Sequence, residues 1–425
     1  MASGPLKGIR VLEFTQIIAG PFGCQNLADM GADVIKVEPP EGEPWRLFSQ
    51  FMPGESKTFQ GLNRGKRSLV LALQTPEAQE IVHRMIPDID VVVINYRPDV
   101  PVKLGIDYET LKALREDLIY VDNTAFGREG PLAQSPGYDI IAQAVSGLLA
   151  GEGKFNPETG TPKIITSTAI ADYGTGLAIA WGVCAALYHR ERTGEGQLIE
   201  STLLQTALAF QGHAVFDLPV ADEPKYQKME RVHQLQQEGA SYPELLAAHN
   251  PLAFLGAGNI YYRVYGTLDG ALAIGALSPT LWEKVRTALG TDFLGIADPD
   301  YDPMHAEWAA NATKRVLEIE EHVRTRSTAD WGDIFTANGV PNGTVNFAED
   351  MIDHPQVVAN GGIVELDHEL SGPQRQVGPV IKMSASPLAA QGPSPTLGRD
   401  TEAILSEAGY SAEQIGALQG SGAIG

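Results

Sequence analysis

Strand, helix and strand succeed one another within the first forty residues, and that order restricts the fold more than any other feature of the chain. Ile9–Phe14 is a β-rich apolar run, Phe22–Met30 has helical character and stops at Gly31, and Val34–Val37 is a second strand closed by Glu38-Pro39-Pro40. Two strands joined through a helix form a βαβ unit, which requires a parallel pair and opens a doubly wound sheet. The alternation continues through strand Ser68–Leu73, helix Pro76–Met85, strand Val91–Asn95, helix Tyr108–Glu116 and strand Leu118–Asn123. A long helix is then expected after Asp172, and a second helical run around Leu198–Ala214. The predicted fold class is α/β with a parallel sheet.

The character changes after Asp217. Residues 218–258 are polar, carry one helix-like stretch (Tyr226–Glu238) and read as a connector. From Tyr261 the chain reads strand–turn–strand, followed by helices around Pro279–Leu289 and Met304–Arg326, a smaller α+β domain. Val340–Ser386 is strand-rich, and a short helix (Thr401–Gly409) precedes a Gly-rich tail expected to fray. At 425 residues two domains are the default.

Charge narrows the function classes. Against 31 Lys and Arg stand 53 Asp and Glu, a net charge of −22 that opposes binding to nucleic acid or an anionic membrane. The longest apolar run, Leu177–Tyr188, is short of the ~20 residues that span a bilayer, and the first residues show no secretory h-region. Only Cys24 and Cys184 are present, so a disulfide framework is not expected and a cytoplasmic, reducing setting fits.

The stretch from Ala171 to Gln197 concentrates the chemical interest. Leu177, Ala180, Trp181, Cys184, Leu187 and Tyr188 recur at helical spacing and predict a buried face. His189, Arg190 and Arg192 suit the last turn, and Gly194 the stop. Asp172 stands at the head, at or near the N-cap, where the helix dipole favours its ionised form. A carboxylate there is either a cap or a nucleophile.

Other constellations are weaker. The first βα turn, T-Q-I-I-A-G-P-F-G, lacks the G-x-G-x-x-G needed for a dinucleotide. G-L-N-R-G-K-R-S (61–68) crowds cations into a loop, and N-Y-R-P-D-V-P-V-K-L-G (95–105) follows a strand, at the edge where open α/β sheets bind ligands. There Asn95 can hydrogen-bond, Tyr96 can stack, and Arg97 and Lys103 can meet phosphates. In S-P-G-Y-D (135–139), Asp139 suits the cap of the helix it opens. The nine histidines make no ligand pair, so no metal site is expected, and no G-x-S-x-G elbow is present.

Together these pieces resemble the class III CoA-transferase family, which includes formyl-CoA transferase, carnitine CoA-transferase and 2-methylacyl-CoA racemase. The resemblance runs in order through V-L-E-F-T-Q-I-I-A-G-P (11–21), G-A-D-V-I-K-V-E-P (31–39), G-E-P-W-R (42–46), N-R-G-K-R-S (63–68), N-Y-R-P (95–98), F-G-R-E-G-P (126–131) and G-Y-D-I-I-A-Q-A-V-S-G (137–147). It continues through R-T-G-E-G-Q and, near the end, V-G-P-V-I-K-M-S-A-S-P and L-G-R-D-T-E-A-I-L.

The resemblance implies a Rossmann-like large domain built from both ends of the chain, a small domain between them, and an interlocked homodimer. The layout is then 1–217 as the first part of the large domain, 218–258 as connector, 259–335 as small domain and 336–425 as the return. It implies an acyl-CoA:carboxylate CoA-transferase with Asp172 as nucleophile, acyl-CoA and a free carboxylic acid as substrates, and no tightly bound cofactor. The small neighbours Ala171, Gly174 and Gly176 are expected to leave the Asp172 carboxylate open to attack. CoA contacts fall, by the same resemblance, at Ile18, Ala19, Asn63, Arg64, Lys66, Asn95, Tyr96, Arg97, Lys103, Gly137, Tyr138 and Asp139, with a substrate loop at Gly256, Gly258 and Asn259. Racemases of the family carry His before the helix-opening Asp; here that position is Tyr138, a poor base at neutral pH, which favours transfer. A glutamine that some transferases place in the first turn is Ile18 here, which points to a larger or less polar acyl group. A racemase with an altered base and a non-catalytic CoA-binding protein are the alternatives.

Overall fold

The computed structural model describes residues 4–165, 168–249, 258–301 and 306–425. The chain divides into two compact units, one of Met1–Leu149, Ile164–Asp217 and Ile352–Gly425, the other of Ala150–Lys163 and Leu218–Met351. The first unit's strands are β1 (Arg10–Phe14), β2 (Asp33–Glu38), β3 (Gln50–Met52), β4 (Glu55–Ser56), β5 (Arg67–Val70), β6 (Val91–Ile94), β7 (Ile119–Thr124) and β8 (Gln197–Thr202). Six of them form one sheet in the order β5-β2-β1-β6-β7-β8, and every pair is parallel. The chain winds outward from β1 through β2 and β5, then returns to β1's other side through β6, β7 and β8. The β1–β6 boundary is therefore the topological switch point, and a crevice is expected at the carboxyl ends of these strands.

Alternation along each strand divides the core between the two faces of the sheet. Leu12, Phe14, Ile35, Leu69, Val92 and Ile94 pack on one face with Ile81, Val82, Met85 and the C-terminal Ile404, Leu405, Ile415 and Ile424. Val11, Val34, Val91, Val93 and Val121 pack on the other with Cys24, Leu27, Ile179 and Val183. That second layer consists of the first helix (Ala19–Asp29) and the long helix (Ile170–Thr193).

Three expectations are corrected. Residues 198–202 are not helical: β8 pairs along its length with β7, and the helix that follows runs only from Leu203 to Ala209, capped by Thr202. The Gly-rich tail does not fray, because Ser411 and Gln414 form a capping box that starts a helix at Ala412–Ser421. On the long helix the small residues turn inward: Ala171, Thr175, Gly176, Ile179, Ala180, Val183 and Ala186 are buried, whereas Leu177, Trp181 and Tyr188 are exposed, Trp181 at 74%. The first helix approaches so closely that only small groups fit between the two. At 24 residues the long helix is long and apolar enough to cross a membrane by composition, yet it forms part of this core layer.

The second unit has its own three-stranded antiparallel sheet, β9 (Tyr262–Gly266), β10 (Ala271–Gly275) and β11 (Asn342–Thr344), in the order β11-β10-β9. Helices Pro279–Leu289, Ala306–Val323 and Thr328–Ala337 accompany it, with Tyr261, Tyr265, Trp331 and Phe335 in its core. Back in the first unit, β12 (Ile363–His368) and β13 (Gly372–Val377) form an antiparallel hairpin.

Candidate active site

Asp172 lies in the first turn of the long helix, but it does not cap it. The N-cap is Ala169, and the leading N–H groups are taken from outside: Ala171 N and Asp172 N donate to Asp139 Oδ1 at 2.7 and 3.1 Å. Asp139 itself opens the helix Asp139–Val145, and its other oxygen accepts from Gln143. The expected division of labour is reversed, since Asp139 serves as the cap of another helix and leaves the Asp172 carboxylate free of that duty.

The Asp172 carboxylate instead receives the N–H of Ala19, the first residue of the first helix, whose N-cap Ile18 supplies no side-chain bond. Glycines permit this approach. A Cβ on Gly176 would stand 2.8 Å from Ala19 O, and one on Gly23 2.9 Å from Ile179 Cγ2. Gly174 faces Phe210 and Thr206 in the same way, at 2.4 and 2.8 Å. The small residues around Asp172 thus serve helix packing rather than an open carboxylate face.

Burial pushes the Asp172 pKa up, and the neighbouring Asp139 pushes it further, to about 7 against an ordinary 3.8; the Ala19 N–H opposes this in part. The sequence expectation of a dipole-stabilised, firmly ionised group is therefore corrected. The dipole's N–H groups are already spent on Asp139. What remains is a poorly solvated carboxylate that titrates near neutrality, a pattern typical of reactive sites.

The turn that delivers Ala19 is strained and strapped down. Ile17 has φ 73°, a left-handed conformation that costs a β-branched residue roughly 1–3 kcal/mol. Its N–H donates to Glu43 Oε2 at 2.8 Å. Gln16 exchanges two bonds with Asn95, giving its N–H to Oδ1 at 3.0 Å and accepting Nδ2 on its carbonyl at 2.8 Å. Glu43 is buried and pairs with Lys36 at 3.1 Å, and Lys36 and Lys66 both pair with the buried Glu13, at 3.1 and 2.8 Å. Burial lowers the Lys66 pKa, whereas at Lys36 burial is outweighed by Glu13, Glu43 and Glu38 and the pKa rises.

Two cavities share Asp172, Ile17 and Tyr138 in their walls. One, of about 370 Å³, lies at the carboxyl ends of β1, β6 and β7 and includes Asn95, Tyr96, Arg97, Asn123 and Gly137. The other, of about 470 Å³, includes Ile18, Trp45, Asp139 and Ile140. A carboxylate at a switch-point crevice, flanked by two cavities, can meet a bipartite substrate at its reacting bond. Among the described residues no group of three or more His, Cys, Asp or Glu is placed to hold a metal.

Residues 6–401 match the profile of CoA-transferase family III. The chain belongs to this family. It is 35% identical over 416 residues to a succinate–glutarate CoA-transferase of Agrobacterium fabrum, covering 95% of both chains. It is 30% identical over 423 residues to the human succinyl-CoA:glutarate CoA-transferase, covering 99% of this chain and 90% of the other. Among solved structures it is similar to a CAIB/BAIF family protein of Brucella suis, with a TM-score of 0.73 and 29% identity over 96% of this chain and 100% of that one. Rv3272 of Mycobacterium tuberculosis gives the same TM-score at 27% identity, over 95% of this chain and all of the other. As a class III CoA-transferase the protein handles CoA thioesters as substrates.

Within this transferase the expected CoA residues separate into two groups. Asn95, Tyr96, Arg97, Gly137 and Tyr138 share the first cavity with Asp172; Ile18 and Asp139 line the second, and Ala19 bonds the carboxylate. Asn63, Arg64 and Lys66 do not join them, because all three are buried in structural bonds. Lys66 donates to Pro21 O and Asn63 Oδ1, at 2.9 and 2.8 Å, and Arg64 grips Asp29 with two nitrogens, at 3.0 and 2.6 Å. Arg64 does border a separate cavity of about 700 Å³ with Tyr173 and the β12–β13 hairpin. Lys103 is exposed and bonded to Asp99 at 2.6 Å, outside both cavities at Asp172. Gly258 and Asn259 belong to the second unit, where Asn259 Oδ1 accepts the N–H groups of Tyr261 and Tyr262 at 3.0 and 3.1 Å; Gly256 lies outside the described residues. Sequence reasoning missed Glu43, Gln16 and Trp45, although all three sit in family motifs, because their roles are exerted through backbone at a distance in sequence.

Proposed function

We propose that this transferase moves CoA between carboxylic acids through covalent intermediates on Asp172. The observation that carries the reading is the desolvated Asp172 carboxylate, held by the Ala19 N–H where the two cavities adjoin. A carboxylate oxygen attacks the thioester carbonyl carbon, and the C–S bond breaks to release CoA thiolate and leave a mixed anhydride. The thiolate attacks the aspartyl carbonyl, which frees the donor acid as a carboxylate and leaves an aspartyl–CoA thioester. The acceptor carboxylate attacks that thioester and expels the thiolate. Finally the thiolate attacks the acceptor's carbonyl, forming the new acyl-CoA and restoring Asp172. No proton is gained or lost over the cycle. The Ala19 N–H is placed to stabilise the oxyanion formed at the aspartyl carbon. Asn95, Tyr96 and Arg97 would receive the CoA portion.

The test is to incubate the protein with a panel of acyl-CoA thioesters, treat it with hydroxylamine and examine the Asp172 peptide by mass spectrometry. Hydroxamate at Asp172 is expected. Its absence across the panel, or α-carbon deuterium wash-in without an acceptor acid, would sink the proposal.

We also propose a homodimer, in keeping with the interlocked arrangement that the resemblance implies. Its support is the stripe of Leu177, Trp181 and Tyr188, large apolar groups left to solvent by a single chain. Sedimentation should give twice the chain mass, and a species of single-chain mass alone at micromolar concentration would refute it.

A further inference from the structure

The second cavity at Asp172 has a composition that bears on which acids the enzyme takes. Its walls include Ile17, Ile18, Trp45, Tyr138, Ile140 and Ile164, and none of its described lining residues is Lys, Arg or His. The ionisable carboxyls in it are Asp139 and Asp172, and Asp139 acts on Asp172 with like charge. Gln143 offers no substitute for a cation, since its amide nitrogen is given to Asp139. Trp45 is fixed by stacking on Phe48 with ring centroids 5.0 Å apart, and its carbonyl accepts the Ser56 hydroxyl.

A second carboxylate carried into this space would lose water, meet no cation, and face two acids. An alkyl chain would lose nothing and gain contact with isoleucine and tryptophan. We infer that this cavity is the acyl subsite and selects an unbranched apolar monocarboxylic chain over a dicarboxylic one, an inference that rests on the transferase reading above. The relatives named for succinate and glutarate therefore differ from this chain in acyl preference.

The test uses the full-length protein with acetyl-CoA as donor, and compares acceptors of equal carbon number: propanoate to hexanoate against malonate to adipate. kcat/KM should rise about fourfold per methylene in the monoacid series, the equivalent of ~0.8 kcal/mol for each buried CH₂. Each diacid should fall at least roughly tenfold below its monoacid partner. Diacids equal to or better than monoacids, while the Asp172 adduct still forms, would overturn the inference and leave the transferase reading intact. Loss of exchange and adduct in both series would overturn the two together.

Ile140→Lys supplies a gain-of-function check. Ile140 is 49% exposed, so an ammonium there keeps part of its hydration. The diacid-to-monoacid ratio should rise at least roughly tenfold in the folded variant, by pairing across a desolvated pocket. An unchanged ratio would overturn the assignment of this cavity.

Discussion

Asp172→Asn is expected to remove CoA exchange by at least about 10³-fold and, at the same time, to stabilise the fold. The first effect follows from the loss of the only attacking group in the scheme. The second follows from the pKa, which stands at about 7 in the folded chain against an ordinary 3.8. Between those values the folded state holds a proton that the unfolded chain releases, so the group withdraws stability as pH rises through that window. Above it the deficit is complete. A shift of this size corresponds to at most roughly 4 kcal/mol, and partial solvent access reduces the expected gain of the asparagine variant to about 1–3 kcal/mol. The gain should be near zero at pH 4 and complete at pH 8. Chemical denaturation of both proteins at the two values measures it. A variant no more stable than the parent at pH 8 would show that burial of the carboxylate carries no strain, and retained exchange would remove Asp172 from the chemistry.

Much of the sheet was legible in the sequence, since the apolar runs of β1, β2, β6 and β7 alternate with helices at a spacing that only parallel crossovers satisfy. β8 was not, because Leu198 and Ile199 lie on an edge strand and continue the apolar character of the preceding helix without a period of their own. The long helix misled for a related reason. Both its faces are apolar, and the choice between them depends on Gly23 and Gly176 meeting across a helix pair far apart in sequence. At the site, Asp172 and the Asn95–Arg97 run were readable from residue type and strand end. Buried Lys66 and Arg64 were not. A basic loop motif carries no sign of whether its cations face a phosphate or, as here, Glu13 and Asp29. The exchange of roles between Asp139 and Asp172 was likewise invisible, since each stands at a helix start with equal claim to be a cap.

That exchange leads to the second large effect. The rate of adduct formation from acyl-CoA should fall about tenfold per pH unit below 7, because only the ionised carboxylate attacks. At pH 5 the unaltered enzyme is therefore expected to run roughly a hundredfold below its plateau. Asp139→Asn separates the two contributions of Asp139. Its amide oxygen can still accept from Ala171 N and Asp172 N, the bonds that Asp139 Oδ1 now accepts at 2.7 and 3.1 Å, while the like charge acting on Asp172 is gone. The acid limb should move to lower pH, and the variant should outpace the parent at pH 5.5. Its plateau at pH 8 should be lower, because a less basic carboxylate is a weaker nucleophile. Asp139→Ala loses cap and charge together; it should lose about 0.5–2 kcal/mol of stability, and its rate at pH 5.5 should stay below that of the asparagine variant. Rapid-quench measurement of the Asp172 adduct from pH 5 to 9 decides the matter. An acid limb unmoved in Asp139→Asn would mean that burial alone raises the Asp172 pKa, and that Asp139 acts on the site only as a cap.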